Sequence, residues 1–302
     1  MNISIKRQRF IGNCVLLASL LLVGCTGVTT PTPASTQEKS ALSAITKSAT
    51  HKHYSGKFVW HDLLTDDVSG AKAFYSALFG WTFEEEGAYI TIYNRGKLIG
   101  GMMEVSSKSG NIGESVWLPS MSVKNVDSAI SEVKANKGRV LKGPLDMPKR
   151  GRGVLVSDAQ GAHIVLLQAK GGDPMDATPQ MGDWLWNELW TSKPKESETL
   201  YRALGKYQVV SNAREYRILK NKGKWRAGIR DVSKEDAKSR WASVIRIADL
   251  QKTMDQVVRL GGKILMKPRK EIADGNVAVI ADSTGALLIM QRWSDTVAQG
   301  GK

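Results

Sequence analysis

Phe-Val-Trp-His-Asp-Leu, at residues 58–63, returns 126 residues later as Trp-Leu-Trp-Asn-Glu-Leu at residues 184–189. The segment Ala-Phe-Tyr-Ser-Ala-Leu at 73–78 meets Thr-Leu-Tyr-Arg-Ala-Leu at 199–204 with the same offset. Similarity that holds over a fixed period indicates a repeated structural unit. The sequence therefore predicts two tandem copies of one domain.

The register of the repeat continues toward the end of each copy. Residues 153–162 match residues 277–286, now with an offset of 124, and a two-residue deletion in the middle of the second copy explains the change. The predicted domains span 55–169 and 180–294. Each is of ordinary domain size.

Each copy has the pattern of a mixed α and β domain. In the first copy, apolar residues at helical spacing predict a helix over 68–78 that ends at Gly80. A second helix is predicted over 126–135, with short alternating strands before and after each helix. The predicted order is β-α-β-β followed by β-α-β-β-β, which is close to two βαβββ modules per copy.

A series of short motifs in the first copy suggests a family. In order they are Trp60-x-Asp62, Ala73-Phe74-Tyr75, Phe79-Gly80-Trp81, Val116-Trp117-Leu118-Pro119 and Asp158-x-x-Gly161-Ala162. Together they resemble the vicinal oxygen chelate (VOC) superfamily of glyoxalase I, bleomycin-resistance proteins and extradiol dioxygenases, and especially its tandem glyoxalase/hydroxylase-like branch. The second copy matches less closely. The resemblance implies an α+β fold of tandem VOC domains, each of two βαβββ-type modules whose curved mixed sheets enclose a cleft.

The resemblance also implies where a divalent metal would bind. Carried over to this chain, the ligand positions fall on Trp60 and Trp186, on or next to Leu118 and Ala242, on Val165 and Ile289, and near 100–102 and 228–229. None of these side chains is a good metal ligand. The sequence therefore predicts two clefts without a metal or other cofactor.

Side-chain alternation along the first strand of each copy suggests ligand-contacting residues. If Trp60 faces the cleft, Asp62 faces it too, and the second copy presents Trp186 and Glu188 in the same way. His163 lies two residues before Val165 on the last strand, so it faces the cleft if Val165 does. One alternative is a relocated metal site built from Asp62 and His163. Another is that His163 is a partly buried strand residue with a hydrogen bond.

Trp117 and Trp241 complete the set of candidate ligand-binding residues, with an ordinary core position as the equally open alternative. The first functional hypothesis is a small-molecule binder with metal-free clefts. The second is a metal-dependent enzyme, namely a lyase, isomerase or dioxygenase, that uses the relocated site. The sequence does not name the ligand.

The N-terminus has the pattern of a bacterial lipoprotein signal. A positive segment is followed by about 15 mostly apolar residues, too few to span a bilayer comfortably. Leu-Val-Gly-Cys at 22–25 looks like a lipobox, which predicts a signal peptide over 1–24 and acyl chains, including palmitate, on Cys25. The membrane is then a partner of this chain through its lipid anchor.

Residues 25–54 are rich in Thr, Ser, Ala and Pro, and this composition predicts an unfolded tether. Thr26, rather than an aspartate, follows the lipidated cysteine. Gram-negative sorting, as the resemblance implies, would then place the protein on the outer membrane, facing the periplasm.

The formal charge of the chain is +14, and loss of three basic residues with the signal peptide lowers it to +11. The excess is concentrated in a predicted hairpin of the second copy, where four basic side chains share a parity: Lys220, Lys222, Lys224 and Arg226. Such a stripe attracts anionic envelope components, which makes an envelope interaction protein the third hypothesis. A solvated basic hairpin is the alternative. No motif supports specific nucleic-acid binding.

Overall fold

The computed structural model describes residues 42–105, 115–213, 216–233 and 238–293. The predicted signal peptide and Cys25 lie outside these residues. Among the helices of the described ranges, none is long and apolar enough to cross a membrane.

The first repeat alternates strands and helices as the sequence predicts, with one addition. An acidic strand, β2, lies at the sheet edge, where charged side chains discourage pairing with another chain. The strand β6 is also longer than its sequence predicts. The elements are β1 (Phe58–Thr65), α1 (Val68–Phe79), β2 (Thr82–Glu86), β3 (Tyr89–Asn94), β4 (Lys97–Glu104), β5 (Val116–Ser122), α2 (Val126–Ala135), β6 (Arg139–Met147), β7 (Gly151–Ser157) and β8 (His163–Ala169).

The second repeat has the same order of elements, which confirms the predicted tandem α+β architecture. A short 3₁₀ turn at Ala273–Gly275 precedes its next-to-last strand. The elements are β9 (Trp184–Thr191), α3 (Pro194–Gly205), β10 (Gln208–Ala213), β11 (Tyr216–Asn221), β12 (Lys224–Asp231), β13 (Arg240–Ile247), α4 (Leu250–Arg259), β14 (Lys263–Met266), β15 (Val277–Ala281) and β16 (Leu287–Arg292).

The helix ends follow from local chemistry. The Asp67 carboxylate accepts a 2.8 Å hydrogen bond from the Gly70 amide and so caps the start of α1. Asn125 and Asp249 cap α2 and α4 in the same way. Gly80 ends α1 in a left-handed conformation with φ of 72°, which a residue without Cβ adopts at little cost.

Each repeat forms one eight-stranded mixed sheet. The strand order in the first sheet is β2-β3-β4-β1-β5-β8-β7-β6, and the second sheet repeats it as β10-β11-β12-β9-β13-β16-β15-β14. In the first sheet, β1 and β5 pair antiparallel and join the two modules, whereas β1 with β4 and β5 with β8 are parallel. The first strand of each module therefore lies near the middle of its sheet.

The two largest hydrophobic cores lie between the repeats, and a smaller apolar cluster lies within each repeat. Phe74 of α1 shares a core with Ile280 and Leu288 of the second sheet. Leu200 of α3 shares the other large core with Ile164 of the first sheet. Because a fully buried side chain of this kind contributes about 1.5–3 kcal/mol, these contacts between repeats are large beside a typical net stability of about 5–15 kcal/mol.

The opposite faces of the two sheets form the clefts, as strand parity predicts. Trp60 and Asp62 point into the cleft of the first sheet, whereas His61 points away, toward the second repeat. There the His61 ring stacks on Trp184 at 4.0 Å, and its Nε2 lies 3.0 Å from Asn187 Oδ1. Burial lowers the pKa of His61 to about 3, so this histidine is neutral in the folded protein.

Candidate functional site

The first cleft is defined by Trp60, Asp62 and Tyr89, which form a closed triad. Trp60 Nε1 donates to Asp62 Oδ1 at 2.9 Å and to Tyr89 Oη at 3.0 Å. Tyr89 Oη donates to the same carboxylate oxygen at 2.5 Å. Burial, with the charge of Asp62, raises the pKa of Tyr89, so the phenol remains a donor.

Arg150 enters the first cleft from the loop before β7. Its Nη1 lies 3.3 Å from Asp62 Oδ2, and its Nη2 donates to Tyr89 Oη at 2.8 Å. The guanidinium also lies over the Trp60 ring, 4.7 Å from its centroid. Arg150 is nearly fully buried, so its charge is balanced by Asp62 rather than by water.

The structure corrects the predicted tether at residues 42–54, which pack against the first repeat. Ile45 is 4% exposed and belongs to the same apolar cluster as Trp60 and Tyr89. The Ser43 carbonyl accepts a 3.0 Å hydrogen bond from Arg150 Nε. The predicted unfolded character of residues 42–54 is therefore wrong, since a few side chains that find a preformed cleft suffice to order a Ser/Ala/Thr-rich segment.

The second cleft is defined by Trp186, Glu188 and Tyr216, which repeat the triad of the first. Trp186 Nε1 donates to Tyr216 Oη at 2.8 Å, and Tyr216 Oη donates to Glu188 Oε1 at 2.9 Å. Trp190 Nε1 donates to Glu188 Oε2 at 3.1 Å. Arg230 of β12 contacts both carboxylate oxygens, at 3.1 and 3.2 Å. Burial, with the charge of Glu188, raises the pKa of Tyr216.

The two clefts differ in exposure. Trp60 is 1% exposed, whereas Trp186 is only half-buried. The second cleft is therefore accessible to solvent along its aromatic wall, while residues 42–50 cover the first. The two carboxylates differ little, with 10% of the Asp62 side chain and 12% of the Glu188 side chain exposed.

Glycines make room for both triads. A Cβ at Gly101 would lie 1.6 Å from Tyr89 Oη, and a Cβ at Gly228 would lie 2.0 Å from Tyr216 Oη. Gly101 pairs with Asp62 and Gly228 with Glu188 in the parallel ladders. Both glycines lie where the resemblance implies a metal ligand. Here they leave the space that the tyrosine ring occupies.

A β-bulge changes the predicted basic stripe. Lys220 pairs with Trp225 after a register shift, which leaves Arg226 outside the ladder. Arg226 instead holds Asp176, with nitrogen–oxygen distances of 2.7 and 3.1 Å. Lys220 pairs with Trp225 and Lys224 pairs with Asn221, so Lys220 and Lys224 lie on opposite faces of the hairpin. The predicted common face of the four basic residues is therefore wrong, although Lys222 and Lys224 are exposed.

The same bulge places Trp225 at the second cleft. It is 43% exposed, and its ring meets the Trp186 ring at 6.2 Å in a T-shaped contact. Lys220 Nζ lies 5.4 Å from the Trp225 ring centroid. A tryptophan wall with an adjacent ammonium group thus borders the second cleft.

The strand registers test whether a metal fits. Trp60 pairs with Ser120, and Ser120 pairs with Val165, so these three residues form the row across the first cleft. The same row in the second cleft is Trp186, Val244 and Ile289. The residue paired with each tryptophan, Ser120 or Val244, thus lies two residues after the ligand position that the resemblance implies, Leu118 or Ala242. A metal would find at most one hydroxyl in such a row, and the residues do not fit a divalent ion.

The carboxylates beside these rows also fit a metal poorly. Asp62 and Glu188 already accept hydrogen bonds from Trp, Tyr and Arg donors, and the guanidinium of Arg150 or Arg230 opposes a second cation. Across the ranges that the structure describes, no three His, Cys, Asp or Glu side chains are grouped as a metal-ligand set.

His163 lies at the start of β8, two strands away from β1, and is exposed. Partial desolvation, with the positive charge of Arg139, lowers its pKa. Asp62 is engaged by Trp60, Tyr89 and Arg150 rather than by this histidine.

Trp117 and Trp241 lie outside the clefts, in the cores between the repeats. Trp117 is 3% exposed and Trp241 is 5% exposed. Their Nε1 atoms donate to Tyr75 Oη at 2.7 Å and to Tyr201 Oη at 2.9 Å, respectively. Both tryptophans therefore occupy ordinary core positions, because each points from its sheet toward the other repeat.

Sequence reasoning did not assign four residues to the clefts: Tyr89, Tyr216, Trp225 and Arg230. Tyr89 and Tyr216 occupy equivalent positions in the two repeats, 127 residues apart, so closer self-comparison would have found them. Arg150 and Arg230 come from non-equivalent places, the loop before β7 and strand β12, so comparison of the repeats gives no signal for them. The sequence signal for Arg150 is the basic, glycine-rich run at 149–153.

The first repeat matches a known family model, and most of the chain is similar to known proteins. The family model described as "Glyoxalase/Bleomycin resistance protein/Dioxygenase superfamily" matches residues 53–166. The chain is 25% identical over 238 residues to "Putative glyoxylase CFP32" of Mycobacterium tuberculosis, covering 76% of this chain and 91% of that protein. It is 26% identical over 255 residues to "Anthracycline biosynthesis protein DauV" of Streptomyces sp. (strain C5), with the same coverage of each chain.

Solved structures share the fold. The Mn(II)-bound glyoxalase from Novosphingobium aromaticivorans matches with a TM-score of 0.56 at 14% identity, covering 80% of this chain and 83% of that one. Homoprotocatechuate 2,3-dioxygenase from B. fuscum matches with a TM-score of 0.58 at 10% identity, covering 80% and 72%. At such identities the likeness concerns the fold alone.

Proposed function

We propose that this chain, whose first repeat matches the glyoxalase/bleomycin resistance protein/dioxygenase superfamily model and which is 25% identical to a putative glyoxylase, binds a small molecule in its second cleft without a metal. The observation that carries the proposal is the chemistry of the cleft floor. Its metal-ligand row is apolar, and its carboxylate, Glu188, is held by Arg230 and Tyr216.

The second cleft favours a planar apolar ligand. Trp186 and Trp225 present aromatic faces that are open to solvent, and a flat ring against them would gain about 0.5–1.5 kcal/mol beyond area burial. Lys220 beside Trp225 favours an anionic substituent at the rim. Ligand pockets of this kind combine aromatic walls with few polar groups.

The dye 1-anilinonaphthalene-8-sulfonate, which joins a flat naphthalene ring system to an anionic sulfonate, is a suitable probe. We expect it to quench tryptophan fluorescence and to bind at least about tenfold more weakly to Trp225→Ala, a loss of roughly 1.4 kcal/mol. Leu145→Ala is the matched control, because Leu145 is 44% exposed on the other sheet and Trp225 is 43% exposed. Equal loss in both variants, or no loss in either, would contradict a site at Trp225.

The rival function is a metal-dependent enzyme of the lyase, isomerase or dioxygenase class that uses Asp62 and His163. We expect no stoichiometric binding when Mn²⁺ or Zn²⁺ is titrated calorimetrically into the purified protein. About one equivalent of tightly bound metal, lost in Asp62→Asn, would establish the rival instead.

The proposal extends to the location of the protein. We propose a lipid anchor on Cys25 that attaches the chain to the outer membrane, with both repeats in the periplasm; the signal pattern at 1–25 supports this. In a Gram-negative host, Cys25→Ser should leave an uncleaved or soluble protein. Retention of that variant with the outer membrane after high salt and carbonate would place the anchor elsewhere.

A further inference from the structure

The first cleft is filled by the chain's own residues. Residues 42–50 precede β1 and lie along the triad of Trp60, Asp62 and Tyr89. We propose that the first cleft is a peptide-binding groove, whose resident ligand is this segment and which accepts another copy of the same peptide when the segment is released. This inference is independent of a ligand in the second cleft.

The contacts of the segment resemble those of a bound peptide. The Ser43 carbonyl accepts from Arg150 Nε at 3.0 Å, and Ser43 Oγ lies 3.4 Å from Thr91 Oγ1. Ile45 is buried in the apolar cluster of the cleft, and Leu42 packs against that cluster. One main-chain carbonyl held by a buried arginine, with an apolar anchor on each side of it, is a recognisable peptide-binding arrangement.

The end of the segment nearest to β1 is fixed independently of the cleft. The amides of Thr50 and His51 both donate to the Gly171 carbonyl, at 2.8 and 3.0 Å. The Asp173 amide donates to the Lys52 carbonyl at 2.7 Å, and the Asp173 carboxylate accepts from the Tyr54 amide at 2.6 Å. Residues 42–48 can therefore leave the cleft while residues 50–54 stay attached.

Occupation of the cleft is not a general property of the repeat. The chain that leads into β9 makes different contacts, on the β3–β4 hairpin of the first repeat. There Asn94 Nδ2 donates to the Met181 carbonyl at 3.0 Å, and Asp183 pairs with Lys97 at 2.7 Å. Docking into a cleft is thus specific to the segment before β1.

The test uses full-length chains that differ at one residue. Ile45→Asp places a charge at the buried anchor, and Ser48→Asp adds the same charge at an exposed position of the same segment. A fluorescein-labelled peptide, Ala-Leu-Ser-Ala-Ile-Thr-Lys-Ser-Ala, is the probe for an emptied cleft. We expect it to bind Ile45→Asp but neither the wild type nor Ser48→Asp, because a tethered segment acts at millimolar effective concentration.

Limited trypsin digestion supplies the second measurement. Cleavage after Lys47 should be roughly tenfold faster in Ile45→Asp than in the wild type, which has the same residues on both sides of the cut bond, since the lost burial is worth more than about 1.4 kcal/mol. Ile45→Ser is a milder variant, and far-ultraviolet circular dichroism identifies any chain that fails to fold. Equal cleavage of the wild type and folded Ile45→Asp, or no binding of the peptide to folded Ile45→Asp and Ile45→Ser, would overturn the proposal.

Discussion

Tyr75 Oη, in the first repeat, donates a 2.6 Å hydrogen bond to the Asp282 carboxylate of the second repeat. The tyrosine is fully buried, and burial together with the charge of Asp282 raises its pKa, so it stays protonated. The counterpart of this pair joins Tyr201 to Asp158 at 3.3 Å. Both aspartates come from the Asp-x-x-Gly turn before a last strand, so the repeated motif ties each repeat to the other.

Tyr75→Phe should lower the free energy of unfolding by about 2–3 kcal/mol, because the hydrogen bond that it removes is made to a charged, buried group. Tyr201→Phe is the matched comparison and should cost less, since its bond to Asp158 is 0.7 Å longer. Urea denaturation of both full-length variants measures the difference. A larger loss in Tyr201→Phe would contradict the ranking.

Much of this fold follows from the sequence. The offset of 126 residues between 58–63 and 184–189 predicts two equivalent first strands, and β1 and β9 are those strands. Parity alone places Trp60 and Asp62 on one face and His61 on the other. These predictions succeed because strand alternation is fixed by backbone geometry and does not depend on the rest of the chain.

Other features depend on contacts between distant residues. The apolar face of α1 indicates burial, but nothing in its spacing shows that its partner is the second sheet. The bulge at Lys220 reverses the expected side of Trp225 and Arg226. Residues 42–50 carry few apolar side chains, so their docking depends on a cleft that exists only after folding.

His61 should make stability depend on pH. Its pKa is about 3 in the folded protein and about 6.5 when unfolded, so between these values the unfolded chain binds a proton that the folded chain does not. Lower pH then favours unfolding, and stability is lost as pH falls from 6.5 toward 3, by up to about 1.4 kcal/mol per pH unit. Urea titrations at pH 7, 5.5 and 4.5 measure this slope.

His61→Asn should flatten that slope, because the substituted side chain does not titrate. His163→Asn is the control, since His163 is exposed, whereas His61 is 3% exposed. If both variants keep the wild-type slope, carboxylates rather than His61 cause the loss of stability in acid.

Arg150 and Asp62 should be strongly coupled. Arg150→Met leaves a buried carboxylate without its cation and should cost about 3–5 kcal/mol, whereas the double variant with Asp62→Leu should recover part of that loss. Arg230→Met is the control and should cost less, because Arg230 is 24% exposed and Arg150 only 4%. Additive effects of Arg150→Met and Asp62→Leu in a double-mutant cycle would show that the pair is not coupled.

The basic hairpin contains one cation in an ion pair, Arg226, and two exposed cations, Lys222 and Lys224. Arg226→Glu should lower the free energy of unfolding by about 1–3 kcal/mol, because it breaks the ion pair with Asp176 and puts two carboxylates together. The double variant Lys222→Glu/Lys224→Glu should change stability by less than about 0.5 kcal/mol, since both side chains are exposed. Thermal denaturation compares the two.

The same double variant tests whether the hairpin contacts an anionic envelope surface. Each lysine near such a surface contributes about 1 kcal/mol, so the loss of both should weaken binding to phosphatidylglycerol vesicles by roughly thirtyfold, and reversal to Glu by more. Vesicle co-sedimentation of the soluble domains at low and high salt measures this. Unchanged sedimentation of the folded double variant at low salt would show that the hairpin is a solvated surface.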